Sequence, residues 1–327
     1  MSKLYKLIPG FMLAFTIGLI SLYLGKSFTI IGGPIFAILI AMLIASTCSI
    51  PNSLKIGIKF TAKKMLQLAI VLLGFQLNLF NVLKMGMQSL TMILFTISSV
   101  FIVSYTISKL LRIHKNKAIL IAVGTAICGG SAIAATAPVI MAEDEEVAAS
   151  ISTIFLFNIV AVFVFPPIGR LLEMTDITFG LWSGLAINDT SSVVAAAQVW
   201  SSEALSIATI VKLTRTLMIL PITMILSIYS LKTSSNSNRV NLAGQLPWFI
   251  VGFLFTSVIA TLNVIAIDIT RALVDLGKLL IIIAMAAIGL NTDIKQLMSN
   301  GIKPLALGLC CSITVAIVAI IVIKLLF

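Results

Sequence analysis

Two cations lie inside an apolar run of this chain. Lys212 and Arg215 belong to Ile210-Val-Lys212-Leu-Thr214-Arg215-Thr-Leu217. Counted from Glu203 at about 1.5 Å per helical residue, they sit roughly 13–18 Å into the span they belong to. Residues three apart share one helix face. Ionisable side chains at such depth are costly and mark a functional site by default. Two chemistries are open to them. They can hold an anion, or they can pair with the carboxylate of Asp189; the other alternative is that the span boundary lies elsewhere and places them near the interface.

Asp189 lies in a segment that has an echo. Gly124-Thr-Ala-Ile-Cys-Gly-Gly-Ser-Ala-Ile-Ala-Ala-Thr-Ala-Pro-Val-Ile140 aligns without a gap on Gly184-Leu-Ala-Ile-Asn-Asp-Thr-Ser-Ser-Val-Val-Ala-Ala-Ala-Gln-Val-Trp200. Ser131 falls on Ser191, Ala135 on Ala195, and Ala137 on Ala197. The centres are Cys128-Gly129-Gly130-Ser131 and Asn188-Asp189-Thr190-Ser191-Ser192. Both are small, polar and poor at holding a helix, and both are walled by apolar residues. This predicts two helices broken within a membrane, whose freed backbone groups must line a cavity or find protein partners. Paired broken segments point to the binding site of a transporter.

Each residue then has an expected role. Half-helix N-termini offer free N–H donors to an anion. Gly129 and Gly130 let a solute approach the backbone. Ser131, Thr190, Ser191 and Ser192 add hydroxyls. Asp189 either carries a coupling proton or cation, or caps the second half-helix. Asn158 either joins the site or satisfies freed backbone. Cys128 lies in the first break as a small residue, and His114 is expected to be solvated in a basic loop. No nucleophile–histidine pair, phosphate-binding loop or metal-ligand spacing is present, so neither an enzyme nor a cofactor or metal site is expected.

The elements that must position these residues follow from composition. The chain has 327 residues, 60% hydrophobic and only 10% charged, with a mean hydropathy of +1.17. A soluble domain needs more charge than this. The expected fold is an all-α polytopic membrane protein of roughly 9–11 transmembrane segments. It has inverted repeats and two discontinuous segments, 118–141 and 179–200, which either re-enter or cross. Met1 to Lys26 reads as an uncleaved first span. The net charge of +11 fits basic cytoplasmic loops rather than nucleic-acid binding. Basic residues near 55–64, 109–117 and 232–239 share one side, which makes the N-terminus cytoplasmic and the C-terminus external. Residues 25–27, 80–88 and 170–178 are expected as the opposing loops. Pro166-Pro167 and Pro221 fall late in their spans, and Glu143-Asp-Glu-Glu146 starts a long helix.

A second ungapped echo sets Leu72–Leu90 on Ala287–Leu305, with Gly74 on Gly289, Gln76 on Asn291 and Asn78 on Asp293. Asn78, Asn291 and Asp293 are expected to end their helices. The chain thus reads as one integral membrane domain, 1–327, with a core at 118–231 and a scaffold at 1–117 and 246–327.

The motif Ile127-Cys-Gly-Gly-Ser-Ala-Ile-Ala-Ala, with Gly-Leu-Asn291-Thr-Asp and Val-Lys212-Leu-Thr-Arg215, resembles the YeiH-like family of sulfate exporters over essentially the whole chain. It is also distantly similar to cation/proton antiporters and bile-acid-type symporters. That likeness implies a scaffold, a mobile core with crossed discontinuous segments, and often a homodimer. The expected function is secondary transport of a small anion such as sulfate or a sulfonate across the cell membrane. A cation/proton antiporter built on Asp189 is the main alternative. A membrane subunit of an ion-pumping enzyme complex is the third.

Overall fold

In this computed structural model, residues 6–28, 32–233, 248–292 and 301–326 are described. Asp293 and most of the polar stretch expected as a loop at 232–245 lie outside them. Every regular element among the described residues is helical. Six helices are long and apolar enough to cross a bilayer, and two shorter apolar ones accompany them. The chain is therefore a polytopic membrane protein.

Helix α1 is Ile8–Ser27, α2 is Gly32–Thr47 and α3 is Asn52–Leu73. Within α3, Thr61–Met65 forms a π-helical turn. Such a turn inserts a residue and rotates the face that follows. A Cβ on Gly10 of α1 would meet the backbone of Leu54 and Ile58, so α1 and α3 begin on the same face, called here the first face. The basic loop expected at 55–64 is instead the helical start of α3. Its lysines recur every four residues at 55, 59 and 63, and one turn of helix brings such positions onto one side. The loop expected at 80–88 is likewise helical, because α4 runs the whole way from Leu79 to Leu111. Asn78 caps it, accepting from the Phe80 N–H at 2.9 Å. Apolar residues thin out over 80–88, but the cap and an unbroken backbone ladder carry the helix through.

Helices α5 (Lys115–Ala126) and α6 (Gly130–Thr136) form the first broken segment, and α7 is Asp144–Leu171. The acidic patch does start α7, where Glu143 and Glu146 make a reciprocal capping box. Helices α8 (Asp176–Ala186) and α9 (Thr190–Trp200) form the second broken segment. The span expected from Glu203 to Leu231 divides into α10 (Ser202–Leu217) and α11 (Ile219–Thr233). The division falls at Met218, just before Pro221, which has no N–H to bond the preceding turn. Helices α12 (Trp248–Thr261), α13 (Ile267–Leu290) and α14 (Ile302–Leu326) complete the fold. Asn291 ends α13 as expected.

Both broken segments are hairpins that return to the face they came from. His114, just before α5, contacts Glu146 at the start of α7 through Nδ1 and Oε1. The base of the first hairpin is thus held together on the first face. The imidazole is exposed there, as expected of a histidine beside a basic loop, and the start of α7 brings it a carboxylate partner as well. In the second hairpin, Trp200 Nε1 donates to Asp176 Oδ1 at 2.8 Å, and Trp200 stacks on Phe179 at 4.0 Å between centroids. That base lies at the opposite end of α7, where Gly169 leaves room for the Phe179 and Trp200 rings.

Two apolar clusters hold the bundle. One joins α1, α2, α3 and α13 to α9. The other joins α4 to α8, α10 and α14. Trp182 of α8 donates through Nε1 to the Ala316 carbonyl of α14 at 3.0 Å, so the last helix is fastened to the broken segments.

Candidate functional site

The tips of the two hairpins meet. A Cβ built on Gly129 would stand 3.4 Å from Cβ of Asp189 and 3.5 Å from Nδ2 of Asn158. Gly129 has φ +69° and ψ −133°, a conformation that a side chain strongly disfavours. The glycine therefore makes the first break possible and the close approach of the second tip as well.

Helix α10 lies against α8 because α8 carries Gly180 and Gly184, one turn apart. A Cβ on Gly184 would stand 2.9 Å from both the Ala208 carbonyl oxygen and Cβ of Val211. Small residues at this spacing let helices pack backbone to backbone. The approach brings Lys212 and Arg215 to the tips, and both are fully buried. Lys212 Nζ donates to the carbonyls of Ile127 at 2.7 Å and Ile187 at 3.0 Å, and also to that of Asn188. Arg215 donates through Nε to Ala126 at 2.6 Å and through its terminal nitrogens to Thr125, Leu185 and Ile187. These carbonyls end α5 and α8, where a helix leaves its last C=O groups unbonded and its dipole negative. One lysine and one arginine thus bind both C-terminal ends at once. Neither makes an ion pair with Asp189 among the described residues.

The N-terminal ends point elsewhere. Gly130 and Ser131 open α6, and Asp189, Thr190 and Ser191 open α9. All five line one cleft of about 440 Å³. Asp189 caps α9, accepting from the Ser191 N–H at 3.0 Å and from the Ser191 hydroxyl. Asn158 of α7 also lines the cleft, and its Oδ1 accepts the Asp189 N–H at 3.1 Å. It satisfies freed backbone and faces the cavity together. The other wall is α3, with Lys59, Lys63 and Gln67, and Asn291 closes the end of α13. The lining includes the first-face half of α7, Phe249 at the start of α12, and Ile288 and Asn291 at the end of α13, so the cleft opens toward that face.

Six of the expected site residues therefore share one cavity: Gly130, Ser131, Asn158, Asp189, Thr190 and Ser191. The others surround it. Cys128 is buried behind the first tip, Ser192 is buried within α9, and Lys212 and Arg215 are spent on carbonyls. Asn188 faces away, toward an apolar groove between α7 and α14, with its Oδ1 buried and unpartnered. Lys59, Lys63 and Gln67 were not expected in the site. The four-residue spacing of the lysines was the available signal, and a loop reading of that stretch hid it.

Two broken helices whose tips meet beside a cleft lined partly by polar and charged side chains, in a chain with six helices long and apolar enough to cross a bilayer, define a polytopic membrane protein. Residues 9–308 match the family model described as Conserved hypothetical protein 698. The chain is 45% identical over 339 residues to a UPF0324 membrane protein of Fusobacterium nucleatum, covering 98% of this chain and 97% of that one. It is 46% identical over 330 residues to a UPF0324 membrane protein of Streptococcus pyogenes, covering 98% and 97%. A further relative, from Streptococcus agalactiae, is 46% identical over 321 residues, covering 96% of each. The chain belongs to this family of membrane proteins.

Proposed function

We propose that this protein is a secondary carrier of a small anion, of the sulfate or sulfonate class, working by alternating access in the cell membrane. One observation carries the reading. The carbonyl ends of both hairpin tips are covered by Lys212 and Arg215, while the 11-residue α9 starts in the same cleft as Gly130, Ser131, Lys59 and Lys63. With the carbonyl ends covered, the helix starts face the cavity, and the charged side chains lining it, Lys59 and Lys63 against Asp189, are positive on balance. Thr190, Ser191 and Ser131 supply hydroxyl donors, and the two lysines supply charge from the opposite wall.

In this reading Lys212 and Arg215 hold the tips in register and set the field without touching the solute. Asp189 positions α9 and is the candidate coupling group. The hairpins, entering from opposite ends of α7, act as an inverted pair. They move with α4, α7, α10 and α14 against a scaffold of α1–α3, α12 and α13. Assigning α14 to the moving part rests on the Trp182–Ala316 hydrogen bond. The first face is cytoplasmic, because Lys55, Lys59, Lys63, Lys64, Arg112, Lys115 and Lys117 gather there.

Counterflow of radiolabelled sulfate in liposomes holding the purified protein tests the proposal. Uptake above that of empty liposomes, competed by unlabelled sulfonates, is expected. Transport driven only by a sodium or proton gradient, with no anion dependence, would instead favour an antiporter centred on Asp189.

A further inference from the structure

The cleft on the first face has a counterpart on the opposite face that is shut. Gly74, in the 3-10 turn that continues α3, and Gly289 of α13 are 215 residues apart. Each is the point where its helix touches a neighbour's backbone. Gly74 abuts the Phe253 carbonyl and Thr256 of α12. A Cβ on Gly289 would stand 2.7 Å from the Ile38 carbonyl oxygen and from Cβ of Ala41 in α2. Moved along the chain by the same interval, α2 falls on α12. The two crossings thus match in sequence register and in packing. The same interval carries Lys63 onto Lys278, and carries Leu66 onto Ile281.

The surroundings of the two lysines differ. Lys63 lines an open cleft between α3 and α6. At Lys278, α13 and the second hairpin are closed on each other. Gln198 of α9 donates Nε2 to the Lys278 carbonyl at 3.1 Å, and Lys278 Nζ donates to Ser202 Oγ at 2.9 Å. Asp275, one turn back, is 4.0 Å from the same ammonium. Deeper along α13, Ile281, Ile282 and Met285 are buried. The Gln198 Oε1 is buried with no partner among the described residues, so this contact is one the molecule can exchange at little loss.

We propose that Lys278, Gln198 and Ser202 form the closed gate on the face opposite the cleft, and that Lys278 is the cation lining the path there when the gate opens. The inference rests on the carrier reading. An anion that leaves Lys63 on one face meets Lys278 on the other, and Asp275 holds the ammonium while no anion is present. Ile281 then becomes wet and Leu66 dry.

Thiol accessibility tests this without reference to any substrate. Cys48, Cys128, Cys310 and Cys311 are first replaced by alanine. Ile281→Cys or Leu66→Cys is then labelled with a charged, water-soluble maleimide in detergent. Adding Lys278→Ala or Gln198→Ala is expected to speed Ile281→Cys labelling about tenfold, as one lost hydrogen bond shifts a two-state population by that order. Leu66→Cys labelling should slow in the same variants. No change at Ile281→Cys overturns the gate, and so does a rise at both positions, which would mean loosening rather than exchange. Protection of Leu66→Cys by sulfate is scored separately and bears only on the anion reading.

Discussion

Replacing Lys212 by methionine separates a lysine that binds backbone from one that binds solute. Methionine keeps the length of the side chain and removes its charge. Lys212 serves three carbonyls, of which Ile187 retains Arg215 at 3.2 Å. The substitution therefore leaves Ile127 and Asn188 without their side-chain donor. A buried acceptor left unsatisfied costs about 1–3 kcal/mol, so two cost roughly 2–6 kcal/mol. Breaking a buried charged interaction costs about 3–5 kcal/mol, which falls inside that range. With an unfolding entropy of about 2 cal/mol/K per residue, a chain this long loses about 4–7 °C of thermal midpoint. Tryptophan fluorescence in detergent follows the change where it occurs, since Trp182 and Trp200 both lie in the second hairpin. Lys63→Gln, on the cleft wall, should leave the midpoint within about 1 °C, as exposed charges contribute little to stability. If Lys212→Met melts with the parent protein yet loses stabilisation by sulfate, the lysine contacts solute and the carbonyl-binding argument is wrong.

Lys59→Gln combined with Lys63→Gln should abolish the upward shift of the thermal midpoint produced by sulfate, while the unliganded midpoint stays put. In the parent that shift should shrink as inert salt is raised, because charges beside open water are screened. Gly129→Ala should destabilise by about 1–3 kcal/mol, since alanine must adopt a glycine conformation; a midpoint equal to the parent's would show that the break does not need it. Asn158→Leu strips the Asp189 N–H of its acceptor and should cost about 1–3 kcal/mol, with sulfate stabilisation falling as well. Trp200→Phe keeps the stack on Phe179 but loses the bond to Asp176, and hydrogen exchange at the start of α8 should quicken while that at α5 does not.

The hairpin tips were legible in the chain before any coordinates. Glycine, serine and asparagine cannot sustain a helix through an apolar run, and the echo of one stretch in the other marked both breaks. Lys212 and Arg215 stood out equally as cations within an apolar run, and both are buried. Sequence alone also determined the membrane class, the acidic start of α7 and the end of α13 at Asn291, whereas Asn78, expected to end a helix, instead opens α4 as its N-cap.

Direction was beyond its reach. Whether each broken segment crosses or returns depends on which ends meet, and those meetings are contacts between distant residues: His114 with Glu146, and Trp200 with Asp176. The partners of the buried cations were equally hidden. A carbonyl belongs to every residue and leaves no mark in sequence, so a lysine that binds three of them reads like one waiting for an anion. Lys59 and Lys63 were misread as loop residues because their charge hid a continuous helix: Lys59 lies in the first α-helical stretch of α3 and Lys63 in its π-helical turn. Residue type decided where the chain must break. The tertiary structure decided which ends of the broken helices are covered and which stay open to a solute, because that depends on a third helix, α10, close enough to reach both.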